Sequence, residues 1–212
     1  MTPVLYSYRR CPYAMRARMA LSYAQIPVEI REISLREKPA AMLLISPKGT
    51  VPVFHQDNLV IDQSLEIMKW ALAQNDPDVW YPTDLVSEIS DLIEMNDGPF
   101  KKILDAYKYP ERAIQAGHGE RSKVLAMATE LFIEPLNQLL TKNKYLLADR
   151  ITLADIAIFP FIRQFSMVDP VWFLNSEYEE LKKWLKYHIE SPLFMGVMQK
   201  YPTWNDIPLE KK

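Results

Sequence analysis

The sequence predicts two domains, a small α/β domain followed by an all-helical domain. Up to about residue 74, short apolar runs typical of strands alternate with short segments of helical periodicity. A stretch rich in Asp and Pro follows, and beyond it the apolar residues recur almost entirely at helical spacing. We therefore expect domains at residues 1–75 and 85–212, joined by a linker at residues 76–84.

The elements of the first domain are predicted in the order β-α-β-α-β-β-α. Apolar and β-branched runs predict the strands, and apolar residues near helical spacing predict the helices. In the first helix the arginines are expected on the side opposite the apolar residues. A helical crossover between the first two strands favours a mixed sheet covered by helices. The predicted strands are residues 3–8, 28–33, 51–54 and 59–61, and the predicted helices are residues 11–25, 38–45 and 62–73.

The second domain is predicted to be helical throughout. Apolar residues at helical spacing mark helices over residues 86–107, 124–140 and 178–188. Prolines at residues 99 and 135 should kink or interrupt the first two of these. Thr152 and Asp155 fit a capping box, which predicts another helix start at that point.

Charge and hydropathy exclude several classes of protein. The chain carries 25 Lys and Arg against 27 Asp and Glu, a net charge of −2, without a basic block. This balance argues against a nucleic-acid partner. No apolar run approaches the roughly 20 residues that span a bilayer, and arginines break up the N-terminal apolar residues where a signal peptide needs a continuous core. We expect a cytoplasmic protein without a membrane partner.

The chain of 212 residues has a single cysteine, Cys11. One cysteine excludes an intramolecular disulfide and a cysteine-only metal site. The three histidines, His55, His118 and His188, are far apart and show no metal-ligand spacing, so no metal site is expected. Cys11 is therefore either an inert buried residue or the centre of the chemistry.

The position of Cys11 favours a reactive thiol. It follows a predicted strand and opens a predicted helix, with Pro12 suited to the first helical position. As the N-cap, Cys11 would lie at the positive end of the helix dipole, which stabilises a thiolate. Composition alone favours a small buried hydrophobe, and the strand–Cys–Pro–helix context reverses that preference. Because Ala14 stands where a second cysteine could resolve a disulfide, an external thiol would have to do so.

Two further segments are candidates for ligand binding. Val51-Pro52, at the start of a strand, could be a cis peptide that pairs its backbone with an extended ligand, although an ordinary trans proline remains the alternative. Gln63-Ser64 opens a helix and could hold a carboxylate, with simple capping by Asp62 or Ser64 as the alternative. Lys38 could be a second carboxylate clamp or a solvated lysine.

Together these motifs resemble the cytosolic glutathione transferases. Cys11-Pro12-Tyr13-Ala14, the segment SPKGTVPV at residues 46–53 and Asp62-Gln63-Ser64 resemble their thioredoxin-like domain. The helix start at Thr152-Leu153-Ala154-Asp155 resembles the capping box of their helical domain. A cysteine in place of tyrosine or serine is similar to the omega-type branch and to the two-domain bacterial glutaredoxin, whose second cysteine Ala14 replaces. The resemblance implies a thioredoxin-like βαβαββα domain followed by a helical domain.

The resemblance also implies a role for each residue of the first domain. Cys11 would form a mixed disulfide with glutathione, and Tyr13 beside it would line the glutathione site and the acceptor side. Lys38 would hold the glycine carboxylate. Val51 would pair its backbone with the cysteinyl part of glutathione, with Pro52 in the cis form.

The remaining implied roles concern the two ends of the site. Gln63 and Ser64 would hold the γ-glutamyl end, although Gln63 departs from the acidic residue common in omega-type members. The acceptor pocket is expected between the domains. Its implied walls, besides Tyr13, are Met95, Phe100, Tyr107 and Trp172.

The function that follows is a glutathione-dependent thiol transferase of the omega type, with dehydroascorbate reduction compatible with the same cysteine. Glutathione would be a co-substrate, with no permanently bound cofactor and with a small molecule or protein disulfide as acceptor. A homodimer is compatible with the family. Two alternatives stay open, namely glutathione conjugation to small electrophiles and a non-catalytic binding protein that keeps the scaffold.

Overall fold

The computed structural model describes residues 2–109, 111, 114, 117 and 120–205, which fall into two units. The first comprises residues 2–78 and 192–205, and the second comprises residues 79–191. The sequence predicts a helical domain over residues 85–212, whereas residues 192–205 group with the first unit. These residues contact the α/β core through α1 and β2.

The first unit contains a mixed four-stranded sheet. Its strands are β1 (Val4–Ser7), β2 (Glu29–Glu32), β3 (Val53–Gln56) and β4 (Leu59–Ile61). They lie in the order β2-β1-β3-β4, with β1 parallel to β2 and antiparallel to β3, and with β3 and β4 forming a hairpin. The predicted strands and the mixed sheet are confirmed. Because β1 is central, all four of its residues are buried.

Three helices complete the predicted pattern of this unit, and a fourth joins it from the C-terminal segment. They are α1 (Pro12–Tyr23), α2 (Ala40–Ile45), α3 (Ser64–Gln74) and α11 (Pro192–Val197), and α1 packs against both α3 and α11. The sequence predicts that the two arginines of α1 lie on the side opposite its apolar residues, away from the core, and this is wrong for both. Arg16 and Arg18 are 2% and 4% exposed, because α1 is covered on more than one face.

The second unit is helical. Its helices are α4 (Val86–Met95), α5 (Lys101–Lys108), α6 (Arg121–Ala128), α7 (Glu134–Lys142), α8 (Leu153–Ser166), α9 (Pro170–Asn175) and α10 (Glu179–Glu190). Two π-helical turns, Asn96–Phe100 and Thr129–Ile133, join α4 to α5 and α6 to α7. The first turn contains Pro99, and the second ends two residues before Pro135, so both predicted interruptions coincide with or adjoin a wider turn. Within the described residues, no helix combines the length and hydropathy needed to cross a membrane.

One buried carboxylate organises the start of α8. Thr152 is the N-cap of α8. The Asp155 carboxylate accepts hydrogen bonds from the backbone N–H and the hydroxyl of Thr152, both at 2.9 Å. The same carboxylate accepts from the Leu146 N–H at 3.0 Å and from the Trp184 indole at 2.9 Å. Burial raises the pKa of Asp155, and the four donors act in the opposite direction. The predicted capping box is confirmed, and it also ties α10 to the start of α8.

We predict that Asp155→Ala lowers the free energy of unfolding by about 3 kcal/mol or more, because buried N–H donors lose their acceptor. Urea unfolding followed by circular dichroism measures the loss. Asp149→Ala is the matched control, since Asp149 is exposed and accepts a hydrogen bond from the Lys144 N–H. We expect the control to lose less than about 1 kcal/mol. Equal losses in the two variants would contradict this role for Asp155.

A second buried polar group in this unit is the imidazole of His188. Its ring is 1% exposed and lies among the rings of Tyr145, Phe159, Trp184 and Tyr187, at centroid distances of 4.9–6.3 Å. No residue in the described part of the chain pairs with its Nε2. Burial lowers the pKa of His188 to about 3. The folded protein therefore keeps this ring neutral over a pH range in which the unfolded chain protonates it.

We predict that this histidine makes the second unit less stable in acid. Below pH 6.5 the unfolded chain binds a proton at His188, whereas the folded protein does not bind this proton until the pH falls to about 3. The free energy of unfolding should therefore fall as the pH falls through this window. Between pH 7 and pH 4.5, wild type should lose about 2 kcal/mol more than His188→Phe, measured by urea unfolding. Parallel pH profiles of the two proteins would refute the assignment, because wild type and His188→Phe share all their other titratable groups.

Candidate active site

Strand register brings the predicted site segments to one edge of the sheet. The parallel pairing of Ser7 with Glu32 places the ends of β1 and β2 side by side. The antiparallel pairing of Tyr6 with Val53 puts the start of β3 at the same edge, and the β3–β4 hairpin adds the end of β4. The segments attached to these four strand ends contain Cys11, Tyr13, Lys38, Val51, Pro52, Gln63 and Ser64.

Cys11 occupies the N-cap of α1, as predicted. Its backbone is extended, with φ −75° and ψ 122°, and Pro12 takes the first helical position. The Cys11 N–H donates to the Tyr8 carbonyl at 3.0 Å, and the Met15 N–H donates to the Cys11 carbonyl at 2.9 Å. The half-buried thiol is thus fixed at the positive end of the α1 dipole, where a thiolate is favoured.

The segment before β3 approaches this thiol. The Val51–Pro52 peptide is cis, the form that the resemblance implies. The Cys11 Sγ lies 3.8 Å from the Val51 carbonyl oxygen, close enough for a weak S–H donor contact. Val51 and Pro52 are both buried, so their backbone lies against the thiol rather than in an exposed turn.

The start of α3 is tied to α1 by an arginine that the sequence analysis did not single out. Gln63 is the exposed N-cap, and Ser64 is the buried first residue of α3. The Arg16 Nε donates to the Ser64 Oγ at 3.0 Å, and its guanidinium lies 5.0 Å from the centroid of the Tyr13 ring. The Asp62 carboxylate instead accepts a hydrogen bond from Ser46 at 3.0 Å, so simple capping by Asp62 is not its role.

Arg16 could have been found from its spacing. Arg16 and Arg18 are two residues apart in a helix, which places them about 200° apart around its axis. Both therefore cannot lie on the solvent side of a helix that packs on the protein core. The spacing signals at least one inward-pointing cation, and the structure buries both.

Lys38 lies in the loop after β2 and is exposed. Its side chain passes over Gly49, which has a φ of +64° in the turn before Val51. A Cβ at residue 49 would lie 3.3 Å from the Lys38 Nζ and 3.2 Å from the Leu43 Cδ2. Gly49 therefore serves both the left-handed turn and the placement of Lys38 beside it.

The four residues of the second unit that are expected to line an acceptor pocket differ in their exposure to solvent. Phe100 and Tyr107 are 0% and 1% exposed, and both pack on Phe165 in the aromatic core of the second unit. Their helical spacing is that of a buried stripe, which in this unit packs into the core. Met95, at the end of α4, is exposed, and Trp172 is half-buried with its ring edge-on to Phe165.

The histidines show no sign of a metal site. In the parts of the chain that the structure describes, no group of three or more metal-ligating side chains is found. His188 lies in the aromatic core, and the His55 Nε2 is 2.9 Å from the Asp57 carbonyl. His118 lies outside the described residues.

A thioredoxin-like unit followed by a helical unit is the architecture of the glutathione S-transferase fold. Two family models match the chain, the N-terminal domain of glutathione S-transferase over residues 5–80 and its C-terminal domain over residues 125–186. The chain is 32% identical over 175 residues to a probable maleylacetoacetate isomerase of Caenorhabditis elegans, covering 76% of this chain and 77% of that protein. The chain therefore belongs to the glutathione S-transferase family.

Two further comparisons agree with this assignment. The maleylacetoacetate isomerase of Rattus norvegicus is 26% identical over 176 residues, covering 74% of this chain and 76% of that protein. A glutathione transferase family member from Pseudomonas fluorescens, solved with two glutathione molecules bound, superposes with a TM-score of 0.76. That match has 18% identity and covers 92% of each chain, so it supports the fold.

We predict that Gly49→Ala lowers the free energy of unfolding by about 1–2 kcal/mol. A left-handed φ strains an alanine, and the added Cβ would push Lys38 and Leu43 away. Gly98→Ala is the control, because Gly98 has no left-handed φ and no atom within 4 Å of an added Cβ. Thermal and urea unfolding of both variants measure the difference. If Gly49→Ala were as stable as Gly98→Ala, the steric role of Gly49 would be wrong.

Proposed function

We propose that the protein is a glutathione-dependent thiol transferase of the omega type that uses Cys11 as a single catalytic thiol. The observation that carries the proposal is the placement of Cys11 at the N-cap of α1, 3.8 Å from the carbonyl oxygen of Val51. A thiolate is favoured at such a helix start. Cysteine also ionises far more readily than the tyrosine or serine that other family members use there.

The reaction takes place in two disulfide exchanges. The Cys11 thiolate attacks the glutathione sulfur of a mixed disulfide, forming a Cys11–glutathione disulfide and releasing the substrate thiolate. A second glutathione thiolate then attacks the glutathione sulfur held by Cys11, forming glutathione disulfide and restoring the Cys11 thiolate. One S–S bond forms and one breaks in each step, and the substrate receives its two electrons from glutathione. Ala14, which is fully buried, supplies no second thiol, so the external glutathione is required.

Glutathione would bind along the sheet edge. The Val51 backbone would pair with its cysteinyl part, and Lys38 would attract its glycine carboxylate. The N–H groups at the start of α3 and the Ser64 hydroxyl would hold the γ-glutamyl carboxylate, an arrangement favoured at helix N-termini. Gln63 in place of an acidic residue would weaken contact with the α-amino group. A reducing, cytoplasmic location would supply glutathione as co-substrate.

We predict that Cys11→Ser abolishes thiol transfer, with a rate at least about 100-fold below wild type, because serine is not ionised at neutral pH. The assay measures turnover of the mixed disulfide of 2-mercaptoethanol and glutathione. Mass spectrometry of wild type treated with glutathione disulfide should show one glutathione added per chain. Retained binding of Cys11→Ser to immobilised glutathione is the control for folding. Equal rates in the two proteins would end the proposal.

A second candidate is the isomerisation of an activated alkene, and the similarity to relatives named maleylacetoacetate isomerase favours it. Here the glutathione thiolate would add to the alkene carbon, forming a C–S bond and an enolate. Rotation about the resulting single bond and loss of the thiolate would give the other isomer without oxidation or reduction. Isomerase activity of Cys11→Ser on maleylacetoacetate, with no thiol transfer by wild type, would establish this function instead.

A further inference from the structure

Arg18 is a buried cation beside the reactive turn. It lies on α1 and is 4% exposed. Side chains of a helix lean towards its N-terminus, so the guanidinium of Arg18 reaches back under the residues that precede the helix. A buried arginine must be compensated by several acceptors.

The acceptors of Arg18 lie at the end of β1, in the turn before Cys11 and in the C-terminal segment. Nη1 donates to the Ser7 hydroxyl and to the Tyr8 carbonyl, and Nη2 donates to the Arg9 carbonyl at 2.8 Å. Nε donates to the carbonyl of Val197, the last residue of α11, at 3.1 Å. One guanidinium thus holds three consecutive residues ahead of Cys11 and caps the end of a helix from the other end of the chain.

These acceptors are electrically neutral, so the positive charge of Arg18 is not neutralised by a directly bonded carboxylate among them. Burial lowers the pKa of Arg18 to about 10, which leaves it protonated at neutral pH. The anions of Glu32 and Cys11 act against that decrease, and so does Tyr201. The Tyr8 carbonyl accepts hydrogen bonds from both Arg18 and the Cys11 N–H, so the buried charge of Arg18 lies close to the turn that carries the thiol. A positive charge at this place favours the ionised thiol.

We propose that Arg18 is the positioning residue of the Cys11 thiol, fixing the turn before it and supplying a buried positive charge that favours the thiolate. The inference rests on the proposed function only in taking Cys11 as the reactive group. Arg18 acts through Cys11 and through the backbone of residues 7–9, and it is not assigned a contact with glutathione.

Other charged groups lie near Arg18 and Cys11 and also affect the ionisation of the thiol. Glu32 on β2 accepts a hydrogen bond from the Arg9 N–H at 2.7 Å and opposes thiolate formation by its charge. Arg9 adds positive charge from the turn, and exposed Arg10 donates to the Tyr8 hydroxyl at 2.9 Å. Tyr201 lies in the C-terminal segment. Exposed charges are screened by water, so the buried charge of Arg18 should dominate the effect on Cys11.

The single cysteine makes the test direct. The thiolate of the full-length protein is titrated by its absorbance at 240 nm, with Cys11→Ser as the blank, and its reactivity is measured by the rate of iodoacetamide alkylation. In Arg18→Met the thiol pKa should rise by about one unit or more, and alkylation below that pKa should slow about tenfold. Arg16→Met is the matched control, because Arg16 lies on the same helix, is equally buried and binds Ser64 instead.

The outcomes separate the alternatives. A folded Arg18→Met that titrates like wild type would overturn the inference, and so would an equal shift in Arg16→Met. If Arg18→Met does not fold, Arg18→Lys decides, since lysine keeps the charge and loses the planar set of donors. In Arg18→Lys, a rise of the thiol pKa by less than about one unit together with slower alkylation supports the positioning role. An unchanged thiol pKa with an unchanged alkylation rate overturns the inference. Because neither readout uses glutathione, Cys11→Ser with full thiol transfer would refute the proposed function and leave this result intact.

Discussion

The register of the small sheet is the constraint on which the site depends. Because β1 runs parallel to β2 and antiparallel to β3, the segments that carry Cys11, Lys38 and the cis Val51–Pro52 peptide must leave the same edge. A one-residue slip of β3 against β1 would turn buried Val53 and Phe54 to the opposite faces, so the buried pairs of the core hold the register. Packing in the sheet therefore sets the separation between the thiol and the backbone that faces it.

The two buried arginines of α1 connect this core to the reactive edge. A buried guanidinium is costly unless its donors are satisfied, and Arg16 and Arg18 satisfy theirs on opposite sides of the helix. Arg16 bonds the start of α3, whereas Arg18 bonds the turn before Cys11. The same hydrogen bonds that compensate burial thus fix the positions of two site segments relative to α1. Core stability and site geometry depend on the same contacts.

The sequence was sufficient wherever local chemistry decides the structure. The N-cap Cys11 with Pro12, the capping box of Thr152 and Asp155, and the sequence of strands and helices along the chain follow from short-range patterns. It was insufficient where the decision depends on what packs on a face. Phe100 and Tyr107 have the spacing of a buried stripe, which does not say whether a core or a ligand covers it. The burial of Arg18 likewise depends on α11, which lies far away in sequence.

The C-terminal segment shows why the first unit is more than its first 78 residues. The Trp204 N–H donates to the Glu32 carbonyl at 2.7 Å, and its ring lies 4.4 Å from the guanidinium of Arg31 on β2. Val197 accepts from Arg18 in the same unit. Without this segment, buried Arg18 would lose an acceptor and the Trp204 contacts with β2 would vanish. The reactive turn near the N-terminus is therefore completed by residues from the other end of the chain, and the thiol environment is a property of the whole first unit.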